Sequence, residues 1–220
     1  HLFTMSKNAK IREVALHFIP VEMRVPLKFG AQVLDSVTCA RARVVVEGEN
    51  GRTAEGWGET PLSVAWVWPS TIDYENRHDA LKQFTINLAA ALNEFGENGH
   101  PIELGHDFIK YRLHQLQDEF NATRSDEGAL PHLAALVCFS LLDIAVHDAY
   151  GHLHERPIYS TYNSEFLSRD LGSFLKPSAE QVSFDGVFPS DFLTYTPRLQ
   201  LPVWHLVGGL DPISEDELTG

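Results

Sequence analysis

Polar and apolar positions alternate along the first sixty residues and then change period. Over 11–23, Ile11, Val14, Leu16, Phe18 and Val21 are spaced as a strand, which Pro20 and Pro26 are expected to end. The alternation is cleaner over 37–47, where Ala40, Ala42, Val44 and Val46 fall on one face and Cys39, Arg41 and Arg43 on the other. Glu49-Asn50-Gly51 supplies a hairpin turn, because Asn-Gly tolerates positive φ. A third short strand over 53–59 completes an antiparallel meander. Gly56 and Gly58 weaken that strand and point to a close backbone approach.

Beyond Pro69 the spacing becomes helical. Leu81, Phe84, Leu88, Leu92 and Phe95 recur every three or four residues, and Gly96 is the expected stop, giving a helix over roughly 75–95. Ile109, Leu113, Leu116 and Phe120 mark a second helix over about 105–120. Pro131, at a first helical position, opens a third over 131–151. That helix is apolar around much of its circumference and is expected to be buried. Strands followed by helices give an α+β fold: a three-stranded meander and a helical bundle. Residues 160–200 lose periodicity and carry Pro177, Pro189 and Pro197 as breakers, so they read as an insertion or linker. Residues 201–209 read as a new buried strand ending in Gly208-Gly209.

Composition narrows the function classes. The chain has 220 residues, is 44% hydrophobic and 21% charged, and carries a formal charge of −13. The first sixty residues are nearly balanced, with eight Lys/Arg against seven Asp/Glu, so the acidic excess belongs to the helical part, where it reads as solvated helix surface. This balance argues against a nucleic-acid partner, which would need clustered Lys and Arg. No uninterrupted apolar run reaches the roughly 18–20 residues of a bilayer span, so no membrane partner is predicted. No basic segment leads into an apolar one at the start, and Met5 is the expected native start. Cys39 and Cys138 are too few for a disulfide framework, which favours a reducing, cytoplasmic location.

The candidate chemistry is sparse. P-loop, GxGxxG, G-x-S-x-G and CxxC motifs are absent from the sequence. The dipeptides His78-Asp79, His106-Asp107 and His147-Asp148 weakly suggest a metal-dependent phosphohydrolase, but three separate helices carry them, and solvated or capping roles fit better. His152 and His154 could grip a metal only with further ligands. Asp143 and His147, four apart, read as an intrahelical pair or a domain contact. Arg24, Lys28 and Phe29 are expected in a loop between strands one and two, and Trp66 and Trp68 in the loop after strand three. Both loops lie at one end of the meander, where cations and aromatics can close over an anion. The two tryptophans serve equally as packing anchors.

Several segments, in order, resemble the amino-terminal capping domain of the enolase superfamily, in its mandelate racemase and muconate lactonizing branch. They are the opening strand ending in Arg24-Val25-Pro26-Leu27-Lys28-Phe29, the G-x-G-E of Gly56-Trp57-Gly58-Glu59, and the D-x-A-x-x-D-x-x-G of Asp143, Ala145, Asp148 and Gly151. Arg156-Pro157 and the 201–209 segment, similar to a first barrel strand, complete the set. The resemblance implies a capping domain over 5–159, an insertion or linker over 160–200, and the start of a truncated barrel over 201–220. In that family a barrel holds Mg²⁺ on Asp/Glu ligands, and a Lys or His base removes a proton α to a carboxylate. A barrel takes roughly 250 residues, so the resemblance implies a fragment with no catalytic or metal residue of its own, expected to be inactive and cofactor-free. The implied parent is a lyase or isomerase: an acid-sugar dehydratase, racemase or cycloisomerase. Its implied partners are a carboxylate substrate, the chain's own missing barrel and a second copy in a homo-oligomer. By position, Arg24, Phe29, Trp66 and Trp68 become lid residues that choose the substrate. The alternative is a self-sufficient, non-catalytic α+β binding or dimerisation module.

Overall fold

The computed structural model describes residues 7–29, 32–124, 128–194, 196–204, 207 and 212–218. Four antiparallel strands make one sheet in the order β3-β2-β1-β4: β1 is Ala9–Phe29, β2 Gln32–Gly48, β3 Thr53–Pro61 and β4 Asn98–Gly99. The meander is as the alternation predicts, but its first two strands are much longer than 11–23 and 37–47. Neither Pro20 nor Pro26 ends β1. β4 pairs only with Ala9 and Lys10, so beyond Lys10 the second edge of β1 is open and a missing N–H breaks no ladder. Pro26 falls inside a register irregularity between Glu22 and Leu27. The Asn50-Gly51 turn is present, with Gly51 at φ 76°.

The inner face of β2 is apolar as read: Ala40, Ala42, Val44 and Val46 are fully buried. The outer face carries ion pairs instead, Arg12–Glu47 at 2.8 Å, Arg41–Glu59 at 2.5 Å, and Arg43 between Glu13 and Glu55. The described residues form five α-helices, α1 (Val64–Val67), α2 (Tyr74–Asn93), α3 (Pro101–Phe108), α4 (His114–Ala122) and α5 (His132–Leu153); α5 packs on β2 and β3 and α2 on β1. A π turn, Ile109–Leu113, joins α3 and α4 into the second predicted helix, which begins earlier than position 105. α2 ends before Gly96, on Glu94 in right-handed conformation, so Gly96 is not a left-handed cap. Pro131 caps α5 from outside rather than occupying its first turn. By length and composition α5 is apolar enough to cross a bilayer. The uninterrupted-run criterion passes over it because Asp143, His147 and Asp148 break the run. In the fold, twelve of its residues are buried.

The two glycines of β3 explain how α5 packs. A Cβ on Gly56 would stand 2.6 Å from the Ala145 carbonyl oxygen and closer still to the Ala149 amide. On Gly58 it would stand 2.7 Å from the Ala145 amide and closer still to the Leu141 carbonyl. Strand and helix backbones therefore touch without intervening side chains, and the small Ala145 and Ala149 are the matching helix residues. At that separation α5 also closes the free edge of β3. The Trp57 N–H donates to Asp148 Oδ2 at 2.9 Å, and the Glu55 carbonyl accepts from His152 Nδ1 at 2.7 Å. A strand edge that would otherwise solicit another chain is answered by helix side chains.

Among the described residues, 160–200 forms only short 3₁₀ turns, but its first half is docked. Thr161, Phe166 and Leu167 are buried. The buried Glu103 carboxylate accepts the Ser168 hydroxyl at 2.7 Å and the Ser168 and Arg169 amides at 2.8 Å each. Arg169 pairs with Asp107 at 2.8 Å. The buried strand expected at 201–209 is not formed where it is described: Leu201, Val203 and Trp204 carry no strand pairing and are 71–94% exposed. A lone strand has no ladder to join and no layer to bury it. His205, Leu206 and 208–211 lie outside the described residues.

Candidate functional site

The end of the sheet farthest from β4 gathers the segments that sequence reasoning singled out. β3 runs antiparallel to β2 and ends with Pro61 opposite Cys39, so the chain leaving β3 emerges beside the outer part of the β1–β2 ribbon. Arg24 and Lys28 are not in a loop. They lie on β1 within that ribbon, where pairing continues to Phe29 opposite Gln32. Arg24 falls between the Glu22–Ser36 and Leu27–Leu34 pairs, ~10–17 Å along the strand from Cys39 at about 3.3 Å per residue. It is exposed and makes no hydrogen bond or ion pair among the described residues. The side chain of Phe29 and the turn at 30–31 lie outside the described residues. Val25, Leu27 and Val33 on the same ribbon are 41–58% exposed. A two-stranded ribbon of this kind has little stability of its own without a covering surface.

Trp66 and Trp68 have opposite environments. Leu62, Val64, Ala65, Val67 and Trp68 are all buried, and Trp66 alone of that stretch's large apolar side chains is exposed, at 52%. Trp68 belongs to the hydrophobic core, with the Arg124 guanidinium 5.8 Å from its ring centroid. Its carbonyl accepts from Arg77 Nη1 at 2.5 Å.

The His-Asp dipeptides stay apart, and each has a local structural partner. His78 meets the Thr38 hydroxyl at 2.9 Å, and burial lowers its pKa. His106 meets Asp107 at 3.0 Å. His147 Nδ1 meets the Tyr162 hydroxyl at 2.8 Å, while its Nε2 is 3.8 Å from Asp143, too far for a hydrogen bond. Burial brings His147 down to about 4 and Asp143, which keeps some solvent contact, up to about 6. Among the described residues no group of three or more His, Cys, Asp or Glu stands together as a metal site.

His100 escaped the sequence reading. It is fully buried at the start of α3. Its Nδ1 accepts from the Ile102 amide at 3.2 Å. Its Nε2 lies 3.0 Å from Thr161 Oγ1, whose own proton goes to the Ile158 carbonyl at 2.6 Å, so Nε2 carries the imidazole proton. Burial drops its pKa to about 3, which keeps it neutral. A groove of about 440 Å³, lined by Arg41, Trp57, Gly58, Glu59 and Ile144, opens beside the strand–helix seam.

No protein-family model matches the chain, and no curated protein matches it in sequence. Solved structures similar to it include the L-Ala-D/L-Glu epimerase of Bacillus subtilis (18% identity, 70% of this chain, 34% of that one, TM-score 0.41). A dipeptide epimerase of Enterococcus faecalis V583, complexed with Mg and a dipeptide, is 14% identical over 70% of this chain and 35% of that one, at TM-score 0.40. An enolase from Bradyrhizobium, complexed with magnesium and mandelic acid, is 18% identical over 72% and 35%, at TM-score 0.36. The chain spans about a third of the length of these structures.

Proposed function

We infer that this chain is the capping part of a Mg²⁺-dependent enolase-superfamily enzyme that removes a proton α to a carboxylate. The observation that carries the inference is the seam between β3 and α5. The G-x-G-E and D-x-A-x-x-D-x-x-G segments, which prompted the resemblance from sequence, are the two surfaces of one contact. Gly56 and Gly58 meet Ala145 and Ala149, and Asp148 takes the Trp57 amide between the glycines. These small and acidic positions each have a packing reason, so the segments behave as one structural signature rather than as chance matches.

In this reading the chain supplies no acid, base or metal ligand. No group of three or more His, Cys, Asp or Glu among its described residues stands together to fit Mg²⁺. Their contribution is closure. Arg24, exposed and unpaired among the described residues, offers a guanidinium to a carboxylate. Trp66 offers a flat apolar face that excludes water from a closed site. Trp68 contributes as the anchor beneath it.

Sequencing the reading frame past codon 220 tests the assignment. An open frame encoding Asp or Glu at successive strand ends is expected, and a native stop at that point would overturn it in favour of a self-sufficient module. In the extended enzyme, Trp66→Ala or Arg24→Ala is expected to lower kcat/KM by about tenfold or more, roughly 1.4 kcal/mol, with little change in melting temperature. Unchanged kinetics with a clear loss of stability would make these residues structural.

A further inference from the structure

Arg77 occupies a place that disfavours a cation twice. It is in the first turn of α2, four residues after the capping Asp73, where the helix dipole repels positive charge. It is also 3% exposed, and no carboxylate stands within ion-pair distance of it among the described residues. A buried guanidinium without an acid is costly. Its bonds go to backbone oxygens alone: Nη1 to the Trp68 carbonyl at 2.5 Å and Nε to the Asp73 carbonyl at 3.4 Å. The Trp68 carbonyl is the cap of the four-residue α1, a helix too short to satisfy its own last acceptors. Arg124, just past the end of α4, packs on the Trp68 ring and close to Phe120. Trp68 is thus held by ring and by carbonyl, and Trp66 stands two residues before it on the same turn.

We propose that Arg77 is a positioning residue for Trp66, fixing the α1 turn so that the one exposed tryptophan of the 62–68 segment is presented in a set orientation for closure over substrate. This rests on the capping reading above, and it separates the two tryptophans, with Trp66 as the substrate-facing member and Trp68 as its pedestal. Entropy supplies the advantage: a side chain already ordered before closure loses less freedom when substrate arrives.

The test uses Arg77→Met, which keeps the stem and removes the donors, and Arg77→Lys, which keeps a charge and a single donor group. Hydrogen exchange of the 220-residue chain reads the first arm. Arg77→Met should speed exchange at the amides of 66–68 by about tenfold or more while α5 keeps its protection, and Arg77→Lys should recover part of that loss. Equal acceleration at 66–68 and across α5, or no acceleration at all, would overturn the proposal. Kinetics of the extended enzyme read the second arm. Arg77→Met should raise KM by about fivefold or more with kcat nearly kept. Once Trp66 is replaced by alanine, Arg77→Met should change KM no further. A kcat loss without a KM change would overturn the positioning role. If the extended wild-type enzyme turns over no carboxylate, the capping reading fails, whereas the exchange arm still decides what Arg77 does to the turn.

Discussion

Gly58→Ala strikes the strand–helix seam at its tightest point. The new Cβ would stand 2.7 Å from the Ala145 amide, against the 3.4 Å at which ordinary contact begins, and it would press harder still on the Leu141 carbonyl. Both obstacles are helix backbone, so no side chain can rotate away. β3 and α5 must part, and α5 carries twelve buried residues, more than any other described helix. Overpacking a core costs about 1–3 kcal/mol, and a rigid obstacle favours the upper end. Separation also stretches the Trp57 amide to Asp148 bond, and a hydrogen bond to a charged acceptor is worth about 1.5–3 kcal/mol. A loss of about 3 kcal/mol or more follows, and at ~2–4 °C per kcal/mol for a chain of this size the melting temperature should fall by at least about 6 °C. Gly96→Ala is the control: nothing lies within 4 Å of its Cβ position and its backbone is not left-handed. It should stay within about 1 kcal/mol of the parent. Urea unfolding followed by circular dichroism, with calorimetric melting, measures both. Gly58→Ala and Gly96→Ala melting together would refute the backbone contact.

Three further outcomes are expected. Asp148→Ala leaves the Trp57 amide without its charged acceptor and should cost about 1.5–3 kcal/mol in urea unfolding; no loss would mean the β3 edge needs no cover. Glu103→Ala removes the acceptor of three donors from Ser168 and Arg169, and breaking such a buried charged network costs about 3–5 kcal/mol. Trypsin should then cut after Arg169 in native buffer, and continued resistance would contradict the docking. His100 binds a proton at 6.5 when unfolded but only near 3 when folded, so stability should fall as pH drops below 6.5, by roughly 2–3 kcal/mol at pH 4.5. His147, at about 4, acts in the same direction, whereas Asp143, raised to about 6, takes up a proton more readily folded and offsets one of them. His100→Asn should flatten the acid limb of unfolding curves taken from pH 7 to 4.5, and an unchanged slope would remove His100 from the explanation.

What could be read in the sequence was whatever a local period or a steric demand encodes. The alternation at Ala40 to Val46 fixed both the face and the burial of β2, and Gly56 and Gly58 announced a close approach before its partner was known. Pro20 and Pro26 do not set the limits of β1, because a proline forbids only a ladder bond, and whether that bond is needed depends on which strand lies alongside. β4 has two residues and no period to detect. The start of α3 had a signal that went unused: Pro101 at the first position, with Glu103 reaching back to the His100 amide at 3.1 Å. Trp66 and Trp68 looked alike because only tertiary packing, through Arg77 and Arg124, separates an anchor from an exposed ring. The docking of 160–175 was invisible for the same reason. Its contacts to Glu103, Asp107, His100 and His147 come from residues distant in the chain, and none repeats with a period.

If this chain caps an enzyme that removes a proton α to a carboxylate, the parent enzyme exchanges that proton with solvent. The most direct measurement is proton NMR of the polypeptide extended past Gly220 by its own reading frame, incubated with Mg²⁺ in deuterated water and a panel of hydroxy-acids and acylated amino acids. Loss of the α-proton signal of at least one substrate is expected, slower by about tenfold or more in Trp66→Ala, with no exchange by the 220-residue chain alone. Exchange catalysed by the 220-residue chain itself, or none by an extended, folded and Mg²⁺-loaded protein, would contradict it.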